Sequence, residues 1–174
     1  HGGTSCKGVM TQAGVASDDG TGLAMLAIAD AEGRFGVGAA NIDCDPTLAA
    51  QSAVIQALAD ADCPGEVPAM AWLTAVPGHE EELLAGIANV LGEDVPVAGG
   101  SSADNQLDGS WRQFTADGVY NNAVVVTVLF PSTEVLFAFH SGYEPTDVKG
   151  LITKTGGYEA TGKRGIATAT DRRT

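Results

Sequence analysis

The stretch AMAWLTAV (69–76), PGHEEELLAGIANVLGED (77–94), VPVA (95–98) decides the fold. Ala69 to Val76 is a short apolar run of buried-strand length. Pro77-Gly78 breaks it, and Glu80, Glu81 and Glu82 then occupy a first helical turn, where the macrodipole favours negative charge. Leu83, Leu84, Ile87, Val90 and Leu91 recur at helical spacing as a narrow apolar face. Val95 to Ala98 is a second short strand. Strand, helix and strand in this order form a β-α-β unit, which crosses over right-handed between parallel neighbours.

Upstream, Leu23 to Ala29 and Arg34 to Ala40 are two apolar, small-residue runs joined by Asp30-Ala31-Glu32-Gly33, a connection short enough for a β-hairpin. Asp45 stands as N-cap before Pro46 at the first helical position, and Leu48, Ser52, Ile55 and Ala59 follow on one stripe, widened by Val54 and Leu58. This predicts a helix from 46 to about 62, ended by Pro64-Gly65. Downstream, Trp111 to Thr115, Val119 to Phe130 and Glu134 to Phe139 are strand-like, joined by Asp117-Gly118 and Pro131-Ser132-Thr133, as in an antiparallel meander. Gly165 to Thr174 also alternates like a strand. The expected fold class is therefore α/β (mixed α+β): a mixed β-sheet with a β-α-β unit and a C-terminal antiparallel meander, helices packed on the sheet, in one domain over residues 1–174. His1 in place of Met, and the glycine turn directly behind it, suggest a fragment of a longer protein that lacks a first strand.

At 174 residues, 44% of them hydrophobic and 18% charged, the chain is long enough and apolar enough for a core of its own. Its longest apolar runs are too short to cross a bilayer as a helix and no leader pattern opens it, so neither membrane insertion nor export is expected. The formal charge is −13, and residues 1–148 carry only Lys7, Arg34 and Arg112 against twenty acids. Such a body repels a phosphate backbone, which argues against nucleic acid. The basic residues of the last stretch are dispersed among Gly and Thr, as on a solvated face. Cys6, Cys44 and Cys63 are odd in number and contain no Cys-x-x-Cys pair, against a disulfide framework or structural zinc; the cytoplasm fits this usage.

Several signatures fail on physical grounds. Gly157 to Arg164 has the glycine and lysine spacing of a phosphate loop, but Arg164 replaces the Mg²⁺-holding hydroxyl and no room follows for the helix. His79-Glu80 lacks the second histidine of a zinc-protease helix. Gly99 to Ala103 follows a strand as a nucleophile elbow does, yet Asp104 to Gly109 is turn-like and offers no helix.

Three glycine-polar clusters at expected strand ends remain: Gly2-Gly3-Thr4-Ser5-Cys6, Gly99-Gly100-Ser101-Ser102-Ala103-Asp104-Asn105, and His140-Ser141-Gly142-Tyr143. Glycine lets backbone approach a ligand and the hydroxyls beside it supply donors and acceptors, as a small polar molecule requires. Taken singly, each cluster is more simply a tight turn with capping hydroxyls. His140 has the same two sides: a structural residue at a strand end, or a ligand donor, haem ligand or general base.

At these clusters the sequence resembles the FIST family, in its N-terminal module. Gly3-Thr4-Ser5 is similar to the family's early small-Gly-Ser/Thr motif, Gly99 to Asn105 to its Gly-Gly-x-x-x-Asp stretch, and His140-Ser141-Gly142 to a later His-Gly motif, with Tyr143 where Trp or Cys is expected. The resemblance spans Gly2 to about Pro145. It implies an intracellular sensory domain of bacterial signal transduction that binds amino acids or related metabolites. Its implied partners are a C-terminal FIST module and a signalling output domain or kinase. Gly3, Thr4, Ser5, Gly99, Gly100, Ser101, Ser102, Asp104, Asn105, His140, Ser141 and Gly142 are the expected ligand-binding residues, with Asp104 meeting an ammonium group and no catalytic residue or metal. The first alternative is a haem-binding nitric-oxide sensor with His140 as axial ligand, as in the family's haem branch. The second is a hydrolase with Ser5 or Cys6 as nucleophile, His140 as base and Asp104 as orienter.

Overall fold

A computed structural model describes residues 1–16, 22–138, 142–144, 149–155 and 167–173. The chain divides into two units, His1–Val135 and Leu136–Thr174. The strands in chain order are β1 (Gly2–Gly3), β2 (Val9–Thr11), β3 (Gly14–Ala16), β4 (Arg34–Asn41), β5 (Met70–Ala75), β6 (Val97–Ser101), β7 (Gln113–Phe114), β8 (Val119–Tyr120), β9 (Ala123–Phe130), β10 (Lys149–Thr155) and β11 (Ala167–Arg173); the helices are α1 (Pro46–Asp60) and α2 (Glu80–Leu91).

The first unit is organised by a four-stranded sheet of order β4-β9-β5-β6. β9 runs antiparallel to both of its neighbours, and β5 and β6 are parallel through α2. The β-α-β unit and the mixed sheet are thus as the sequence predicts. β1, β7 and β8 form a small second sheet, and β2 and β3 a hairpin. In the second unit β10 and β11 pair antiparallel, with register shifts between Ile152 and Thr155.

Helix α1 begins as its sequence dictates: the Asp45 carboxylate accepts from the Leu48 N–H at 3.1 Å and Pro46 opens the first turn. Its buried face differs from the predicted one. Ala49, Ala50, Ala53, Val54, Ala57 and Leu58 are buried, whereas Leu48 and Ile55 are 60% and 57% exposed. The reason lies in β4, whose Gly36 and Gly38 point at α1; a Cβ on Gly36 would run into the Ala57 carbonyl, and one on Gly38 into that of Ala53. Backbone packs on backbone there, so the small alanines take the contact and the larger side chains turn outward. Val124, Val126 and Val128 of β9, Ala71, Leu73 and Ala75 of β5, and Leu83, Ile87 and Leu91 of α2 complete this core.

Several expected strands do not form. Leu23 to Ala29 pairs with no strand among the described residues, with Leu23 80% and Met25 83% exposed. One edge of β4 carries β9, and on the other the Val37 N–H donates to the Asp60 carboxylate at 2.8 Å, so the ladder position needed by a 23–34 hairpin is occupied. Residues 134–138 form no strand either, because β9 already has a partner on both sides. The run from Trp111 to Thr115 shrinks to Gln113–Phe114, and the run from Val119 to Phe130 is interrupted at Asn121-Asn122, where Asn122 Nδ2 donates to the Ile42 carbonyl. Gly2-Gly3 is a strand and not a turn, and Gly99 to Ser101 lies within β6 and not in a loop after it.

The bend before β4 is tied to the bend after β9 by Asp30, whose carboxylate accepts from the Ser132 N–H at 2.7 Å and hydroxyl at 2.8 Å. The backbone and hydroxyl bonds of Ser132 hold this carboxyl below its ordinary value of 3.8. A carboxyl depressed by folding stabilises the fold above its unfolded pKa and loses that contribution as pH falls through the folded one. Asp30 should therefore titrate below a model carboxylate in carboxyl NMR, and Ser132→Ala should move it back up; an Asp30 titration unmoved by that change would refute the link.

Candidate functional site

Alternation along β5 sends Ala71, Leu73 and Ala75 towards the helices and Met70, Trp72 and Thr74 to the opposite face. On that face, at the carboxyl ends of β5 and β6, the backbone of Gly3-Thr4 crosses over the sheet. It encloses an open recess of about 230 Å³ lined by Gly3, Thr4, Trp72, Leu73, Thr74, Gly99, Gly100, Ser101 and Ser102. This is room for a small molecule, below the roughly 300–1,000 Å³ of sites for drug-sized ligands.

Thr4 stitches the walls together. Its N–H donates to the Arg112 carbonyl, its hydroxyl oxygen accepts from the Arg112 N–H at 2.9 Å, and its carbonyl accepts from the Ala103 N–H at 2.9 Å. The crossing is close because Gly3 lacks a side chain: a Cβ there would lie 2.6 Å from both Ser102 Oγ and Thr74 Cγ2. Beside it His1 spans two strands, its imidazole bonded to the hydroxyls of Thr127 and Thr74.

Three glycines of the lining differ in role. Gly99 has φ +136°, and a Cβ there would strike the Leu73 carbonyl, so only glycine keeps this ladder. Gly100 is exposed and a Cβ there meets nothing within 4 Å, which makes it the floor of the recess. Ser102 is 4% exposed; its N–H donates to the Ala75 carbonyl at 2.7 Å, but its hydroxyl has no partner. A buried hydroxyl without a partner is uncommon and costly. Ser101 Oγ donates to the Glu80 carboxylate at 2.6 Å, which also accepts from the Gly78 N–H. Burial works to raise the Glu80 carboxyl, but the bonds from Ser101 and Gly78 outweigh it and hold it below its ordinary value.

Of the residues expected from sequence, Gly3, Thr4, Gly99, Gly100, Ser101 and Ser102 line one recess. Ser5, Asp104 and Asn105 lie beside it and serve the loops. Ser5 Oγ donates to the Gly8 carbonyl, Asn105 Oδ1 accepts from the Lys7 N–H at 2.6 Å, and Asp104 accepts from the N–H groups of Asp108 and Gly109. His140 and Ser141 lie outside the described residues, and Gly142, with φ +74°, belongs to the second unit. Sequence reading missed Trp72 and Thr74, although the alternation in 70–75 carries the signal. Among the described residues no group of three or more His, Cys, Asp or Glu is arranged to hold a metal ion, and no helix is long and apolar enough to cross a membrane.

The family model of the FIST N domain matches residues 1–159. The chain belongs to the FIST N domain family. A comparison with curated proteins finds no match. FIST domains are sensory domains, generally thought to bind small ligands, and are not a known enzyme family. In this FIST N domain the early Gly-Thr and the Gly-Gly-Ser-Ser motifs, nearly a hundred residues apart, meet across the recess.

Proposed function

We propose that this chain is the ligand-binding part of a cytoplasmic bacterial signalling protein and that its ligand, an amino acid or a related small polar metabolite, occupies the recess between Gly3-Thr4, β5 and β6. The observation that carries this reading is the unpartnered Ser102 hydroxyl behind a wall built from three distant segments. Hydroxyls, exposed backbone and one indole line the recess, and these are groups that suit recognition of a small polar molecule. The signal would pass to a C-terminal FIST module and from there to an output domain or kinase. The hydrolase alternative gains nothing from Asp104, which orders residues 108–109, nor from Ser5, which is bonded to Gly8. The haem alternative rests on His140 alone.

The test is calorimetry or thermal shift against an amino-acid and metabolite panel, with Gly100→Val as the blocking variant. Gly100 lies outside the positive-φ glycines and its Cβ position is open. The variant should keep the midpoint of unfolding and lose ligand affinity at least about tenfold, roughly 1.4 kcal/mol. Undiminished binding in Gly100→Val would place the ligand elsewhere.

A further inference from the structure

We propose that the run 23–29 of one copy of the chain adds as a strand to the outer edge of β6 in a second copy, so that two copies exchange runs and form a dimer. The run is seven residues long and holds no charge, no proline and no glycine. Both of its alternate sets, residues 23, 25, 27 and 29 and residues 24, 26 and 28, are wholly apolar. Apolar residues in both sets suit a strand that is covered on both faces. Yet Leu23, Met25, Leu26 and Ile28 are all exposed, and no strand of the described residues pairs with them.

In the four-stranded sheet, β6 is the strand that can take this run. β9 and β5 have neighbours on both sides, and the outer edge of β4 is closed by the Asp60 carboxylate at the Val37 N–H. Along β6 the Pro96 carbonyl accepts from the Ala71 N–H, and the Ser102 N–H donates to the Ala75 carbonyl. The even-numbered residues therefore face β5, and the N–H and C=O groups of Val97, Gly99 and Ser101 point away from the sheet. They have no backbone partner among the described residues. The next outward N–H, that of Ala103, is already bonded to the Thr4 carbonyl at 2.9 Å, so backbone does fit against this side. Val97–Ser101 holds neither charge nor proline, the usual guards of an open edge. The chain's own run cannot reach it. Asp30, directly after the run, is bonded to Gly33 and Ser132 on the β4-β9 side. A strand outside β6 lies three strand spacings from β9, roughly 14 Å, whereas the step from Asp30 to Ala29 covers about 3.8 Å. The run therefore comes from a second copy, whose own β6 takes the first copy's run in return. Because β6 also lines the recess, the added strand stands at its rim.

The experiment uses the whole chain. Analytical ultracentrifugation over a concentration series should show a monomer–dimer equilibrium that moves towards dimer as salt is added, because two bodies of charge −13 repel each other less when screened. Hydrogen exchange should find the amides of Val97, Gly99 and Ser101 slowed where the dimer prevails and fast on dilution. Met25→Pro takes a ladder donor out of the run at an exposed position. It should raise the dimer dissociation constant at least about tenfold and free the three amides, with far-UV circular dichroism at dilution establishing that the variant folds. Leu26→Lys, equally exposed, should act in the same direction. A chain that stays monomeric throughout the series with those amides fast overturns the proposal. A dimer that Met25→Pro leaves intact, or one in which the three amides exchange as fast as in the monomer, also overturns it, for the contact then lies elsewhere. Slow exchange of these amides in a strict monomer overturns it as well, because what covers β6 is then not a second copy.

Discussion

Gly38→Val is expected to cost about 3 kcal/mol or more and to leave little folded protein at physiological temperature. Gly38 sits mid-strand in β4, directly under α1, where a Cβ would collide with the Ala53 carbonyl and lie 2.6 Å from the Ala57 nitrogen. Those atoms are helix backbone and cannot rotate away, so the whole of α1 must lift. Ala50, Ala53, Val54 and Ala57, all fully buried, would then lose their contact with the sheet. Overpacking alone costs roughly 1–3 kcal/mol and occasionally more, and the branched Val side chain reaches beyond the Cβ that already collides. Against a total stability of about 5–15 kcal/mol for a domain this is a large share. Urea unfolding followed by tryptophan fluorescence reads it, and an unchanged midpoint would show that α1 is not seated as described.

Leu83→Ala should destabilise by about 3 kcal/mol for the opposite reason, a void in place of a clash. Leu83 is fully buried in the first turns of α2, in the cluster that includes Ile87, Ala50 and Val54. Truncation forfeits the transfer free energy of the missing atoms and leaves a cavity that neighbouring alanines are too short to fill. Alanine is a good helix former, so the helical signal should persist while the midpoint falls by roughly 6–12 °C. A fall below about 1 °C would mean that α2 is not anchored through this residue.

Local chemistry made the β-α-β unit and both helix starts legible. Pro77-Gly78, the glutamates of the first turn and the Asp45-Pro46 cap each act within a few residues. The faces and edges were not legible in the same way. Which side of α1 is buried depends on two glycines of β4, and whether 23–29 can pair depends on Asp60, which is far away in sequence. Pattern favours a loop at Gly99-Gly100-Ser101 because glycine is a poor strand former. The structure keeps these residues in β6, where Leu73 approaches Gly99 too closely for any side chain. At the candidate site the hydroxyl-glycine motifs were readable, as was the meeting of the first two clusters once the sheet order is known. The loop-ordering role of Asp104 was not, since its partners are backbone N–H groups only four and five residues ahead. A carboxylate committed to a turn has the same sequence as one waiting for an ammonium group.

The unpaired run from Leu23 to Ala29 has a practical consequence for anyone handling the protein. It presents leucine, methionine and isoleucine side chains to solvent on backbone that no strand of the described residues pairs. At neutral pH a formal charge of −13 makes copies repel one another. Near the sequence isoelectric point of about 4.3 that mutual repulsion vanishes, so acidic buffers strip away the colloidal protection from this exposed apolar run.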